Sequence, residues 1–372
     1  MNSDQEFQVS LPTIEYIYRF VDKTNRIFNR STGRIICVCV HEGRKDLLCA
    51  AAVAMGAFMI LALDKTLEEV FEAFKSIREC MDQNSSEPLF QNIVQPTVED
   101  CWRALLKAKN LGWIDQSRRL NSKSTIQHGS LDIDQFEHYS RSWNGGLHTI
   151  IPGKLIIFPD PEEFEDGQLW LDTSDGTRSF SPTFYADLFQ ELNVSIVVCL
   201  GKSDFDFSAF LEHDEEYDEL GLESGNEPIH ILRAMDRLLT LARAAPGALA
   251  LHGGGAHRLL AAFVAACLSS CNGFEGGAAV AWISMTCPSL VDCSKGCHDA
   301  ADLLRRHQLG QAARTIAAGA GNEDGFERST SAQQSAQAKT VGAASPAAAG
   351  EEAQQEGLAK LFLLRTCSAP GT

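Results

Sequence analysis

The sequence is short of positive charge. Among 372 residues, 32 Lys and Arg stand against 49 Asp and Glu, for a formal net charge of −17. Wrapping nucleic acid or adhering to an anionic membrane surface needs a basic footprint, so neither partner is expected. An apolar leader is missing as well. The opening MNSDQEFQVS is polar and has nothing that reads as the hydrophobic region of a secretory signal. The 12 cysteines are scattered. They are expected to be reduced thiols of a cytoplasmic or nuclear protein. The sequence also lacks an apolar run of the roughly 20 residues that cross a bilayer. Its longest, CAAAVAMGAFMILAL from Cys49 to Leu63, reads as a buried helix. Paired C-x-x-C ligand spacing is absent too. Cys287, Cys293, Cys297 and His298 are spaced C-x-x-x-x-x-C-x-x-x-C-H, which does not match a zinc signature, so no metal and no cofactor are expected.

What is present is ordinary globular material. Hydrophobic residues make up 44% and charged residues 22% of the chain, enough for a sizeable core, and the length suggests roughly two domains. From Thr13 to Asn29 apolar residues recur at helical spacing. GRIICVCVHE then reads as a buried strand, with Cys37 and Cys39 sharing a face in the core. The apolar helix follows. Leu67–Cys80 is a helix opened by a Thr66/Glu69 capping box, and Val98–Asn110 one opened by Thr97 and Asp100. The polar stretch 116–130 reads as a linker. Beyond it, strands are expected at Lys154–Phe158, Val194–Leu200 and Ala248–His252. Helices are expected at Pro182–Leu192, Glu227–Ala244 and His257–Ser270, with Cys267 and Cys271 one turn apart in the core. Such alternation argues for a mostly parallel sheet flanked by helices, an α/β fold. EHDEEYDELGLESGNE reads as a solvated acidic loop. From Gln311 the chain turns to Ala, Gly, Ser, Gln and Glu, a flexible tail. The boundaries that follow are 1–115, 116–130, 131–310 and 311–372.

Several stretches resemble one family in its own order. DIDQFEHYSRSWNGGLHTIIPGKLIIF, LFQELNVSIVVCLGKSDFDFSAFLEHDEEYDELGLESGNEP, GALALHGGGAHRLLAAFVAACL and AVAWISMTCPSLV are similar to the second domain of the cell-division-cycle-14 dual-specificity protein phosphatases. IYRFVDKTNRIF, VCVHEGRKDLLCAAAVAMGAFMILAL and TLEEVFEAF are similar to their non-catalytic first domain. The likeness runs discontinuously from about Leu11 to Val291. It implies two tandem phosphatase-like domains, the second catalytic, with a phosphoprotein or phosphopeptide as partner and a cell-cycle role. It also implies strands before Leu11 that this sequence does not supply, as in a truncated or eroded first domain. His41, Glu42, Arg44 and Asp46 fall at the first domain's loop position, where the family has no catalytic function. They read as structural, or as lining a substrate groove that favours basic residues by charge complementarity.

The family's chemistry uses C-x-x-x-x-x-R: a low-pKa thiolate attacks phosphorus, loop N–H groups hold the phosphate oxygens, and the Arg stabilises the transition state. Here the loop is His252-Gly253-Gly254-Gly255-Ala256-His257-Arg258. Aligned from the strand, Gly253 takes the nucleophile's place and the loop is one residue short. Aligned back from Arg258, His252 takes it. Neither supplies a thiol, and the nearest Cys in sequence, Cys267, lies more than two turns into the next helix. Glu223 falls at the position of the family's acid, one methylene longer than Asp. The glycines and Arg258 keep the anion-binding half, so Gly253, Gly254, Gly255, Ala256, His257 and Arg258 are the candidate phosphate-binding residues. The leading expectation is a catalytically impaired, phosphoprotein-binding member. The alternatives are an active phosphatase using His252 or a water, helped by Arg258 and Glu223, and an interaction module with a vestigial pocket. The oligomeric state is not readable.

Overall fold

The computed structural model describes residues 11–30, 35–41, 44–82, 96–114, 129–174, 176–223, 226–291 and 362–367. The first half is mainly helical. Helix α1 (Ile14–Arg30) turns Ile14, Ile17, Tyr18, Val21 and Thr24 inward. Helix α2 (Lys45–Ala62) is apolar from Leu47 onward and buried from Ala52 to Leu61, as at Ala52, Val53, Phe58 and Ile60. A helix that is hydrophobic all round has to be covered by its neighbours, and α1, α3 (Leu67–Asp82) and α4 (Val98–Asn110) cover it. Both expected capping boxes form. Glu69 N–H donates to Thr66 Oγ1 at 3.3 Å and Thr66 N–H to Glu69 Oε2 at 2.8 Å. The Thr97–Asp100 pair closes at 3.1 and 3.0 Å. The Trp102 indole donates to Ala52 O at 3.2 Å, and its ring fills the space that a side chain at Gly56 would need.

Strand β1 (Ile36–His41) lies parallel to β9 (Phe362–Cys367), a strand formed by a segment that the sequence reading assigns to the tail. It is the one strand contributed by the first half among the described residues. Cys37 and Cys39 share a face as expected, but that face is exposed rather than core. Val38 and Val40, on the other face, carry the packing.

The second half holds a five-stranded sheet in the order β2-β3-β8-β6-β7. Strands β3 (Leu155–Ile157), β6 (Val194–Cys199), β7 (Glu216–Glu219) and β8 (Ala248–His252) run parallel, and β2 (His148–Ile151) closes one edge antiparallel. The central strands are buried on both faces, which is why they read as continuous apolar runs. Alternation along them divides two cores. Ile196, Val198, Leu249 and Leu251 enter the larger one, whereas Val197, Ala248 and Ala250 enter the smaller. Helices α8 (Pro228–Ala244), α9 (His257–Asn272) and α10 (Gly276–Thr286) cover the first face. Helix α6 (Pro182–Glu191) and the short α7 (Ser208–Glu212) cover the second. Further described elements are α5 (Ile133–Ser140), capped by Asp132, the hairpin β4 (Trp170–Asp172)–β5 (Arg178–Phe180), and α11 (Pro288–Val291).

The larger core is continuous across both halves. Trp113 stacks on Phe274 at 5.4 Å between ring centroids and lies 5.6 Å from Trp282. The Trp282 indole donates to Ile150 O at 2.9 Å. Cys267 is buried in this core, while Cys271, expected beside it, is exposed.

Candidate functional site

Strand β8 delivers the glycine loop at its carboxyl end, where open parallel sheets hold their ligands. The extension of β6 clamps that loop from one side. Leu200 N–H donates to His252 O at 3.0 Å, Gly201 N–H to Gly253 O at 3.0 Å and Lys202 N–H to Gly254 O at 3.2 Å. The approach leaves no room for side chains. A Cβ on Gly254 (φ +52°) would meet the Cys199 sulfur, and one on Gly201 would meet Gly254 O. Ala256 N–H returns to Gly253 O at 2.9 Å, and His257 begins α9.

A side chain from just past another strand fills the loop. Asp160 follows β3 in the segment Phe158-Pro159-Asp160-Pro161. Its Oδ1 accepts Gly253 N–H at 3.1 Å and Gly254 N–H at 2.9 Å, and lies 2.8 Å from His252 Nδ1. Its Oδ2 lies 3.1 Å from His257 Nε2. Burial pushes the Asp160 carboxyl up, but the hydrogen bonds from His252, His257 and Gly254 together outweigh it and hold the group far below the usual carboxylate range. His257 is raised in turn, chiefly by its hydrogen bond to Asp160, against burial.

The predicted site residues separate accordingly. His252 is fully buried between Phe158 and Phe205, at 5.0 and 5.7 Å. Its Nε2 lies 3.3 Å from the Tyr217 hydroxyl, so both ring nitrogens are engaged. Gly253, the nucleophile position by strand alignment, is covered by the His257 ring, which a Cβ there would strike. Gly253 and Gly254, expected to hold a phosphate, hold Asp160 instead. Gly255 (φ +82°) is exposed at the loop's crest. Arg258 is exposed on the first turn of α9, with no ion pair to a described residue. Glu223 is exposed and bonded to Lys202 Nζ at 2.8 Å, which holds its carboxyl low. A carboxyl held low is ionised at neutral pH and has no proton to donate. The thiol closest to the loop is not Cys267 but Cys199, against Gly254. Burial first, then the charges of Asp160 and Glu219, push it up to about 12. It is a protonated packing group beneath the loop rather than a nucleophile.

Sequence reasoning missed Asp160 and Cys199. Asp160 lies just past β3 and Cys199 ends β6, and only strand order brings them to the loop. An Asp held between two prolines just past a strand was the one local signal. The expected acidic loop after α7 is partly ordered as β7, pairing with β6, and Glu215 at its start is buried. In the first half, Arg44 Nε donates to Asp46 Oδ1 at 2.8 Å at the start of α2. His41 ends β1 and is exposed. Glu42, and Cys293, Cys297 and His298 of the rejected zinc spacing, lie outside the described residues. Among the described residues no His, Cys, Asp and Glu groups converge as metal ligands, and no single helix is long and apolar enough to cross a membrane.

The cleft over the loop measures about 320 Å³ and is bordered by Asp160, Glu162, Ser203, Asp204, Phe205 and His257. Its N–H and imidazole donors meet the Asp160 carboxylate, and among the described residues it presents no low-pKa thiolate and no protonated acid.

A strand, a glycine loop and a helix thus meet at the carboxyl end of a mostly parallel sheet in an α/β protein. The curated homologues of this chain are CDC14 dual-specificity phosphatases, at 23–27% identity over 58–74% of its length. They include CDC14AB of Danio rerio, 26% identical over 279 residues, with 74% of this chain and 42% of the relative covered. CDC14A of Homo sapiens is 27% identical over 241 residues, with 63% and 37% covered. The chain thus spans about 29–57% of the length of these relatives. No family model matches. Solved structures similar to it include Tk-PTP in the active form, with 13% identity, TM-score 0.31, and 43% of this chain and 97% of that chain covered. Another is TpbA of P. aeruginosa, with 16% identity, TM-score 0.28, and 40% and 99% covered.

Proposed function

We infer that this chain is a catalytically silent phosphatase-like protein that works by binding a phosphorylated partner. The observation that supports the reading is the occupied loop. Gly253 N–H, Gly254 N–H and the imidazoles of His252 and His257 converge on an anion, the Asp160 carboxylate. They do so where no thiol stands to attack what is bound. The donors that would orient a phosphate monoester persist without the group that would cleave it. Arg258, on the first turn of α9, would pair with phosphate oxygens. CDC14 relatives are dual-specificity protein phosphatases, which agrees with a phosphoprotein as the partner.

The test is turnover of p-nitrophenyl phosphate and of a phosphoserine-proline peptide by the folded full chain and its Arg258→Ala variant. The expected result is no hydrolysis by either protein, with weaker peptide binding by the variant. Hydrolysis by the native chain that the variant loses would sink the silent reading and direct attention to His252. Equal peptide affinity in both proteins would leave a vestigial pocket.

A further inference from the structure

We propose that Asp160 is an internal competitor for the phosphate site. Its carboxylate takes the place of the phosphate oxygens in the glycine loop, and a phosphate monoester enters only when that carboxylate swings out. This rests on the phosphoprotein-binding reading and adds its regulation: the native loop is latched by the chain's own anion.

Four donors carry the inference. Three of them, His252 Nδ1, Gly253 N–H and Gly254 N–H, meet on Oδ1 at 2.8, 3.1 and 2.9 Å. The fourth, His257 Nε2, meets Oδ2 at 3.1 Å. A carboxylate oxygen rarely gathers three donors unless the pocket is built for an anion, and successive backbone N–H groups beside a helix start form such a pocket. The His252 ring is fully buried, and the proton that its Nδ1 directs at the Asp160 carboxylate loses its acceptor when that carboxylate is removed. Removing the carboxylate therefore leaves a donor set that a phosphate oxygen satisfies.

The latch is held by its backbone. Pro159 and Pro161 flank Asp160 and restrict it to extended conformations. Phe158 N–H is tied to Leu251 O at 3.2 Å, and Glu162 N–H to Phe180 O at 2.9 Å. Release is consequently a side-chain rotation into the cleft that Asp160 already borders. Glu162 and Asp204 line the same cleft and repel an incoming dianion, which favours the latched state further.

The experiment is calorimetric titration of the full chain with orthophosphate, a phosphoserine-proline peptide and its unphosphorylated twin, on the native protein, Asp160→Ala and Asp160→Asn. The native loop should bind orthophosphate weakly, and Asp160→Ala at least about tenfold more tightly, the scale of one lost competing charged hydrogen bond. Asp160→Asn keeps the acceptor without the charge and should fall between. Equal orthophosphate affinity in the native and alanine proteins would overturn the latch and leave the phosphoprotein reading standing. A folded variant that binds no orthophosphate would overturn it too. Orthophosphate bound by the variant, with the two peptides indistinguishable, would keep the latch and remove the phosphoprotein reading. If alanine unfolds the chain, the asparagine variant decides, and a folded asparagine variant with no gain overturns the proposal. If both unfold, the amide signals of native Gly253 and Gly254 decide. Persistence of their native signals under millimolar orthophosphate supports the latch, and saturation at micromolar orthophosphate overturns it.

Discussion

Asp160 and His257 set each other's charge, and the sign of the coupling fixes how stability varies with pH. His257 titrates above its ordinary value of 6.5 because Asp160 accepts its hydrogen bond. Its contribution is fully present below that ordinary value and is lost as pH rises through the raised one. A His257→Ala variant should therefore be less stable than the native chain in mild acid, and the difference should shrink at alkaline pH. Thermal melts across that range check it. A difference that grows with pH would mean that Asp160 does not hold the proton on His257. Asp160 behaves in the opposite sense. With its carboxyl depressed, it supports the fold above about 3.8, its ordinary value, and loses that contribution on acidification. At this scale the sequence was half legible. The missing thiol, the three glycines and Arg258 stand together in one stretch. Asp160 stands 92 residues away from His252, just past a strand whose neighbours a linear reading does not disclose, so the loop's occupant was out of sight.

Among the elements, periodicity and caps were the reliable signals. The helices opened by Thr66 and Thr97 and the central strands formed where expected, because buried parallel strands are apolar without interruption and capping residues are local chemistry. The acidic segment after α7 was read by its charge, and there the fold overrode composition. Strand β7 sits at the sheet edge, paired only with β6, and Glu215 just before it is 4% exposed with neither carboxyl oxygen bonded among the described residues. Burial pushes that carboxyl up to about 8. A carboxyl raised on folding takes up a proton, so its native form is least costly below about 4.5 and loses ground as pH climbs toward 8. Glu215→Gln should melt close to the native chain in mild acid and higher by roughly 2–4 °C in mild alkali. An unchanged melting temperature at both ends would mean that Glu215 finds water or a partner in solution.

The molecule as a whole is joined by aromatic packing rather than by sequence proximity. Trp113, at the end of the first half, lies against Phe274 and Trp282 of the second, and Leu131 N–H donates to Trp113 O at 2.8 Å. The composition change at 116–130 led to the expectation of a linker, but composition says nothing of what the flanking segments touch. With one core across both halves, unfolding should be a single transition seen alike by tryptophan fluorescence and far-ultraviolet circular dichroism. Trp113→Ala should lower stability by about 3–5 kcal/mol, as truncation of a buried aromatic does. Two separated transitions in the native chain would show that the halves fold apart.

The imidazole of His257 lies across Gly253 where a side chain would begin. A mutation that put cysteine there would find its sulfur blocked by that ring, an anion already seated in the loop, and Glu223 tied to Lys202. On the proposed silent reading, a catalytic loop would therefore demand several replacements at once, because none of these obstacles is removed by clearing another.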